Sequence, residues 1–208
     1  FKLTDDEVVW DDLIRGKCTY DMRSLSDPVI MREDGRPIYT LASVVDDIDH
    51  EITHIIRGED HVTNSAAQIQ LFKALGIQPP SLGHLSLIAG SEGEGLSKRL
   101  GSLSLGQLKQ EGLESNALTS LLAKLGTSDP ISFIENIEGL IKDFDLKKFS
   151  RNTAKFDMKD LYLLNKKSIQ SMSYQEALKR LKLIDLDNIN EEFWNTVSGN
   201  LNNLKEMK

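Results

Sequence analysis

Cysteine is nearly absent: the 208 residues contain one, Cys18. A lone thiol forms no internal disulfide and cannot supply a multi-cysteine zinc site, so a reducing, cytoplasmic setting is expected. No apolar run approaches the ~20 residues that span a bilayer, and no secretory pattern opens the chain. The first residue is Phe1 rather than Met, which reads as a fragment or as the removal of something upstream. An excess of positive charge is also lacking. Lys and Arg number 25 against 32 Asp and Glu, a formal net charge of −7, so the chain as a whole does not look like a nucleic-acid binder. Internal repeats and low-complexity segments are missing too.

What remains is an ordinary globular composition, with 39% hydrophobic and 27% charged residues. The length allows one large domain or two to three small ones, with a sizeable core. The average charge hides an asymmetry. Residues 1–60 hold 15 acidic and 7 basic side chains, whereas residues 142–167 hold 8 basic and 4 acidic. A local basic patch is what phosphate-backbone binding requires; a solvated face of a helical region has the same composition.

Residues 7–37 read as β-rich, from the apolar runs Val8-Val9-Trp10 and Pro28 to Arg32, with Asp34-Gly35 as a hairpin turn. Residues 39–49 predict a short helix with Tyr39, Ala42, Val45 and Ile48 on one face. Ile52 to Arg57 is β-branched and apolar and predicts a buried strand ending at Gly58. Asn64 to Leu75 predicts a helix stopped by Gly76 and Pro79-Pro80, and Leu85 to Ala89 the next strand. Strand, helix and strand in about 40 residues make a βαβ unit and hence a parallel sheet. After the glycine-rich loop from Gly90 to Gly101, residues 103–208 read as helical throughout, with Ile134, Ile137, Leu140, Ile141 and Phe144 as the clearest periodic stretch. The Asn-rich tail from about 182 is expected to be truncated or weakly packed.

Three motifs carry possible chemistry. His50-Glu51-Ile52-Thr53-His54 matches H-E-x-x-H, in which two His on one helical face bind zinc and the Glu activates water. That chemistry needs a helix, and Ile52-Thr53 lead straight into the β-branched Ile55-Ile56. A loop-to-strand junction is therefore expected, with a zinc hydrolase as a remote alternative. Gly93-Glu94-Gly95-Leu96-Ser97-Lys98-Arg99 is not a P-loop, yet it combines mobile glycines with two adjacent cations and a hydroxyl. Such a loop can close over phosphates, or simply be a charged surface loop. Arg57-Gly58-Glu59-Asp60-His61 stands at the C-terminal end of a predicted parallel strand, where open α/β sheets bind ligands. Arg57 there suits a carboxylate, while Glu59 and Asp60 also suit a helix N-terminus.

In this order and spacing, these pieces resemble the class I glutamyl-tRNA synthetases. The likeness runs from Phe1 to about Ile169. It is carried by Tyr39 through Asp47, Thr53-His54-Ile55-Ile56-Arg57-Gly58-Glu59-Asp60-His61, Leu75-Gly76, Pro79-Pro80 and His84. Leu96-Ser97-Lys98-Arg99 resembles the family's K-M-S-K-S loop, and Phe156-Asp157 through Leu164-Asn165 its stem-contact helices. The resemblance implies an α/β plus all-α fold: the second half of a Rossmann-like nucleotide-binding domain, then a helical stem-contact domain. Residues 1–37 would end the acceptor-binding insertion, 38–102 complete the nucleotide-binding domain, 103–180 form the stem-contact domain and 181–208 begin the anticodon-binding region.

The activity so implied is ATP-dependent activation of glutamate and its transfer to tRNA in the cytoplasm, by a monomeric intact enzyme. Magnesium would travel with ATP, and no structural zinc is expected. Arg57 would bind the substrate carboxylate, with Tyr39 and Ser43 in the amino-acid pocket. His61, Leu87, Ile88 and Lys98 would contact ATP, and Ser97, Lys98 and Arg99 would act in catalysis. Lys147, Lys148, Arg151, Lys155, Lys166 and Lys167 would face tRNA. Three departures stand out: Ser43 replaces the family's usual Asn, Gly95 replaces the loop's first lysine, and the H-I-G-H signature is absent. The 208 residues are therefore expected to be inactive alone. A non-catalytic tRNA-binding module is the alternative.

Overall fold

The computed structural model describes every residue except 5, 6, 94 and 96–103. Two compact units emerge: residues 1–87 with 149–152, and residues 88–148 with 153–208.

The first unit opens with a hairpin of β1 (Glu7–Asp12) and β2 (Gly16–Asp21), antiparallel from Glu7 opposite Asp21 to Asp12 opposite Gly16. Asp12 closes the turn by accepting the N–H groups of Ile14 and Arg15 at 3.1 and 3.0 Å, the local bonding that makes Asp a turn residue. The second expected run forms no paired strand. Only Met31 and Pro37 bridge, around a turn in which Gly35 takes φ +80°.

Helix α1 (Tyr39–Asp49) occupies the predicted span, but its buried face is not the predicted one. Val44 is fully buried and packs with Leu71 and Phe72, whereas Tyr39 and Val45 are exposed. Strand β3 (His54–Gly58) pairs in parallel with β4 (Ser81–Leu85), and helix α2 (Val62–Ala74) connects them, so the βαβ unit is present. β3 is less buried than its apolar sequence predicts, since Ile56 is 40% exposed. Among the described residues this sheet has two strands, so β3 lacks the second neighbour that would cover it. α2 is buried over eight consecutive residues, Ser65 to Phe72, because the hairpin core and α1 cover different sides of it. It ends in a Schellman motif. Gly76 at φ +78° donates to the Lys73 carbonyl and Ile77 to that of Phe72.

The strand expected at Leu85 to Ala89 splits. β4 begins directly after Pro80, and β5 (Ile88–Gly90) pairs instead with β6 (Ala154–Phe156) in the second unit. The second unit is therefore not helical throughout. Among the described residues its α-helices are α3 (Leu105–Glu111), α4 (Ser115–Lys124), α5 (Ile137–Asp143), α6 (Met158–Ser171), α7 (Tyr174–Lys182) and α8 (Glu191–Val197). α6 joins two cores. Leu161 and Leu164 pack with Leu121 and Phe156, while Ile169 packs with Leu181 and Trp194.

The periodic stretch at α5 does form a helix, but Ile137, Ile141 and Phe144 are 58–67% exposed. The tail is better packed than its composition suggests, because Trp194, Leu201 and Leu204 are buried. Two of its asparagines serve as helix caps: Asn190 accepts from the Phe193 N–H and Asn203 from the Lys205 N–H.

Candidate functional site

The β3–β4 register sets Arg57 beside His84, each one residue before the end of its strand. That is the edge of a parallel sheet where side chains converge on a ligand. α2 then brings Ser65 and Gln68 over the same point. The Arg57 guanidinium donates from Nη2 to Ser65 Oγ at 2.7 Å and to Gln68 Oε1 at 2.6 Å, and from Nη1 to the Tyr39 hydroxyl at 3.3 Å. Its Nε is buried without a hydrogen-bond partner. Ser43 lies one turn along α1 from Tyr39. It donates to the Tyr39 carbonyl at 2.8 Å and accepts from Gln68 Nε2 at 2.7 Å. Tyr39 meets His61 edge to face, ring centroids 5.8 Å apart, and His61 Nδ1 is also buried without a partner. Asp47, on the same helix, has its carboxyl pushed up by burial, with the Arg57 charge pulling the other way.

Tyr39, Ser43, Arg57 and His61 thus gather in one place. Glu59 does not join them. It pairs with Arg15 at 2.6 Å and accepts the Leu87 N–H at 3.3 Å, tying the hairpin to the end of β4. Leu87 is 48% exposed and Ile88, in the second unit, 37%. Ser97, Lys98 and Arg99 lie outside the described residues.

Behind Arg57 runs a buried polar chain that reading the sequence had missed. Ser65 Oγ is 2.6 Å from His84 Nε2, and His84 Nδ1 is 2.5 Å from Asp12 Oδ2. Ser65 and His84 are fully buried and Asp12 nearly so. Asp12 also accepts the His84 backbone N–H at 3.1 Å and the Trp10 indole N–H at 3.3 Å. Burial works against the Asp12 charge, but the bonds from His84 and from three backbone N–H groups outweigh it and hold the carboxyl below its ordinary value. The available signal was modest: a histidine, His84, between apolar neighbours.

The H-E-x-x-H motif does not lie on the helix that its zinc chemistry needs. α1 ends at His50, Glu51 turns into the left-handed region at φ +51°, and Ile52 closes a Schellman bond to the Asp47 carbonyl. His50 and His54 therefore flank a helix terminus instead of sharing a helical face. Among the described residues no three His, Cys, Asp or Glu side chains come together as a metal would need.

The basic residues divide between the units. Arg151 belongs to the first, near Gly16. In the second, Lys148 is engaged by Asp129 at 2.9 Å, which leaves it less available to phosphate than Lys147, Lys155 and Lys167, all exposed, or the half-buried Lys166. No helix among the described residues is long and apolar enough to cross a membrane.

The family model described as tRNA synthetases class I (E and Q), catalytic domain, matches residues 1–163. The glutamate–tRNA ligase 1 of Maricaulis maris is 48% identical over 209 residues, covering 100% of this chain and 47% of the relative. That of Brucella ovis is 46% identical over 202 residues, covering 97% and 44%. A crystal structure of a glutamate tRNA ligase from Elizabethkingia meningosepticum, in complex with its amino acid, superposes with a TM-score of 0.84 at 28% identity. It covers 98% of this chain and 46% of that one. A glutamate–tRNA synthetase from Elizabethkingia anophelis gives 0.82 at 28% identity, over 99% and 47%. The chain spans about half the length of the curated relatives it matches. Its architecture is the second half of a class I synthetase nucleotide-binding fold followed by helices. With a family model over residues 1–163 and relatives aligned along the whole chain, this protein belongs to the class I (E and Q) tRNA synthetases.

Proposed function

We propose that this chain is the part of a glutamate–tRNA ligase that holds the amino acid's carboxylate, closes over ATP and meets the tRNA stem. The observation that carries this reading is Arg57. At the C-terminal end of a parallel strand, Ser65 and Gln68 fix its guanidinium through both hydrogens of Nη2, while Nη1 leans on the Tyr39 hydroxyl. A guanidinium so fixed is suited to a carboxylate, to which it offers its fixed charge and the remaining Nη1 hydrogen.

In this reading Tyr39 and Ser43 shape the amino-acid pocket, and His61, Leu87 and Ile88 lie along the nucleotide. Lys98, with Ser97 and Arg99, stabilises charge on the phosphates as glutamyl-adenylate forms. That step needs positioning and cations more than covalent help. Magnesium comes with the ATP phosphates, since it keeps several waters and favours substrate oxygens over an all-protein cage. Residues 1–37 close the acceptor-binding insertion and 38–102 the nucleotide-binding domain. Residues 103–180 contact the stem and 181–208 open the anticodon-binding region. The intact enzyme acts as a cytoplasmic monomer.

The test is glutamate-dependent ATP–pyrophosphate exchange, with and without tRNA, in the full-length protein and in these 208 residues alone. Exchange in the full-length protein only is the expected result. Exchange in neither leaves a tRNA-binding module.

Two variants probe the parts separately. An added Cβ at Gly95 meets no described atom within 4 Å. Gly95→Lys is expected to raise the exchange rate about tenfold, the worth of one charged hydrogen bond to phosphate. An unchanged rate removes this position from the phosphate site. Lys166→Glu with Lys167→Glu should weaken tRNA binding and flatten its salt dependence by about one slope unit for each lysine that contacts phosphate. A filter-binding series in which the slope stays put takes both off the contact surface.

A further inference from the structure

We propose that Asp12, His84 and Ser65 form a positioning relay for Arg57, fixing which face of Ser65 the guanidinium meets and hence where its remaining donors point. This rests on the reading of Arg57 as the carboxylate clamp. The argument is one of proton counting. Asp12 accepts three backbone N–H groups on Oδ1 and the Trp10 N–H on Oδ2, so it is an acceptor on every side. His84 Nδ1, 2.5 Å from Oδ2, must then carry a hydrogen. In the neutral imidazole that leaves a lone pair on Nε2. Ser65 has one hydroxyl hydrogen and two acceptors in reach, His84 Nε2 at 2.6 Å and the His61 carbonyl at 3.1 Å. The shorter contact takes it. The lone-pair side of Oγ is thereby turned to Arg57 Nη2 at 2.7 Å.

A second relay does the same from the other side. Ser43 donates to the Tyr39 carbonyl and accepts from Gln68 Nε2, so Gln68 must present Oε1 to the same Nη2. Two oriented acceptors on one nitrogen fix the roll of the guanidinium plane. Nη1 is left leaning on Tyr39 and Nε has no partner.

The Ser65–His84–Asp12 order matches that of a nucleophilic triad, but the geometry excludes that role. Ser65 and His84 are fully buried, and the Ser65 oxygen is already covered by Arg57. These residues position; they do not react.

The test is steady-state exchange in the full-length protein, with KM for glutamate and for ATP measured separately. Ser65→Ala should raise the glutamate KM about tenfold, the loss of one charge-assisted hydrogen bond, and leave the ATP KM within about twofold. Ser65→Thr, which keeps the hydroxyl, should restore it. Ser120→Ala removes an equally buried hydroxyl in the second unit, bonded to the Ile134 backbone, and should leave the glutamate KM alone. The relay is overturned if Ser65→Ala leaves the glutamate KM within twofold, if both KM values rise together, or if Ser65→Thr is as impaired as Ser65→Ala. A parent protein without exchange overturns the functional reading and the relay together. A parent that exchanges and responds to Arg57→Ala but ignores Ser65→Ala overturns the relay alone.

Discussion

Arg57→Ala is expected to raise the KM for glutamate about a hundredfold in the full-length protein, with the KM for ATP changed far less. Truncating one partner of a buried, hydrogen-bonded charge pair typically costs about 2–5 kcal/mol, and each 1.4 kcal/mol is tenfold. Two effects add here. The substrate carboxylate loses its clamp, and Gln68 Oε1 and Ser65 Oγ lose the donor that both face. Arg57→Lys should recover only a small part. A lysine is a point charge without the planar fork that Ser65 and Gln68 hold in place. Initial-rate exchange kinetics across a glutamate series decides the matter. A glutamate KM within threefold of the parent would remove Arg57 from the pocket and with it the observation on which the functional reading stands.

Asp12→Ala should destabilise the first unit by about 3–5 kcal/mol, since each buried donor left without its acceptor costs about 1–3 kcal/mol. The carboxylate accepts from Ile14, Arg15 and His84 backbone groups, the Trp10 indole and the His84 ring, and an alanine strands all five. Hydrogen exchange at β1, β2 and β4 amides reports this unit by itself and should show the loss, while α6 amides stay protected. The sign of the pH dependence follows from the lowered value. A carboxyl held below its ordinary 3.8 contributes fully above that pH, and the contribution fades as pH falls through and below it. The parent's first unit should therefore open in acid, and Asp12→Asn should flatten that dependence. Equal acid sensitivity in parent and Asp12→Asn would mean that other carboxylates set it.

How far these residues could be read without coordinates depended on whether the signal was local. α1 fell on its predicted span, and α2 stopped where Gly76 and the following prolines require. The first strand and the helix of the βαβ unit were readable because a β-branched run and an apolar helix leave their mark within a few residues, whereas the second strand lies at Ser81–Leu85 instead of Leu85 to Ala89. Tyr39, Ser43, Arg57 and His61 are candidate site residues by a family likeness alone, and the coordinates bring these four together. Burial was harder. Val44, rather than Val45, is the fully buried residue of α1, because what covers the helix is Leu71 and Phe72 from another element. The α5 pattern was periodic yet stays exposed, and the Asn-rich tail looked loose yet packs around Trp194.

The sequence by itself determined where the chain turns and stops, which residues carry charge and which family the pattern resembles. All of these depend on backbone sterics and short-range order. Only the tertiary structure decided what stands behind Arg57. Asp12 and His84 are 72 positions apart and meet because β1 and β4 belong to one unit. Ser65 joins them because α2 crosses over β3 and β4 in the register that sets Arg57 beside His84. A histidine between apolar neighbours is only a puzzle along the chain. Its reason is a partner brought close by folding, since a buried donor or acceptor is tolerated only when another element supplies its match.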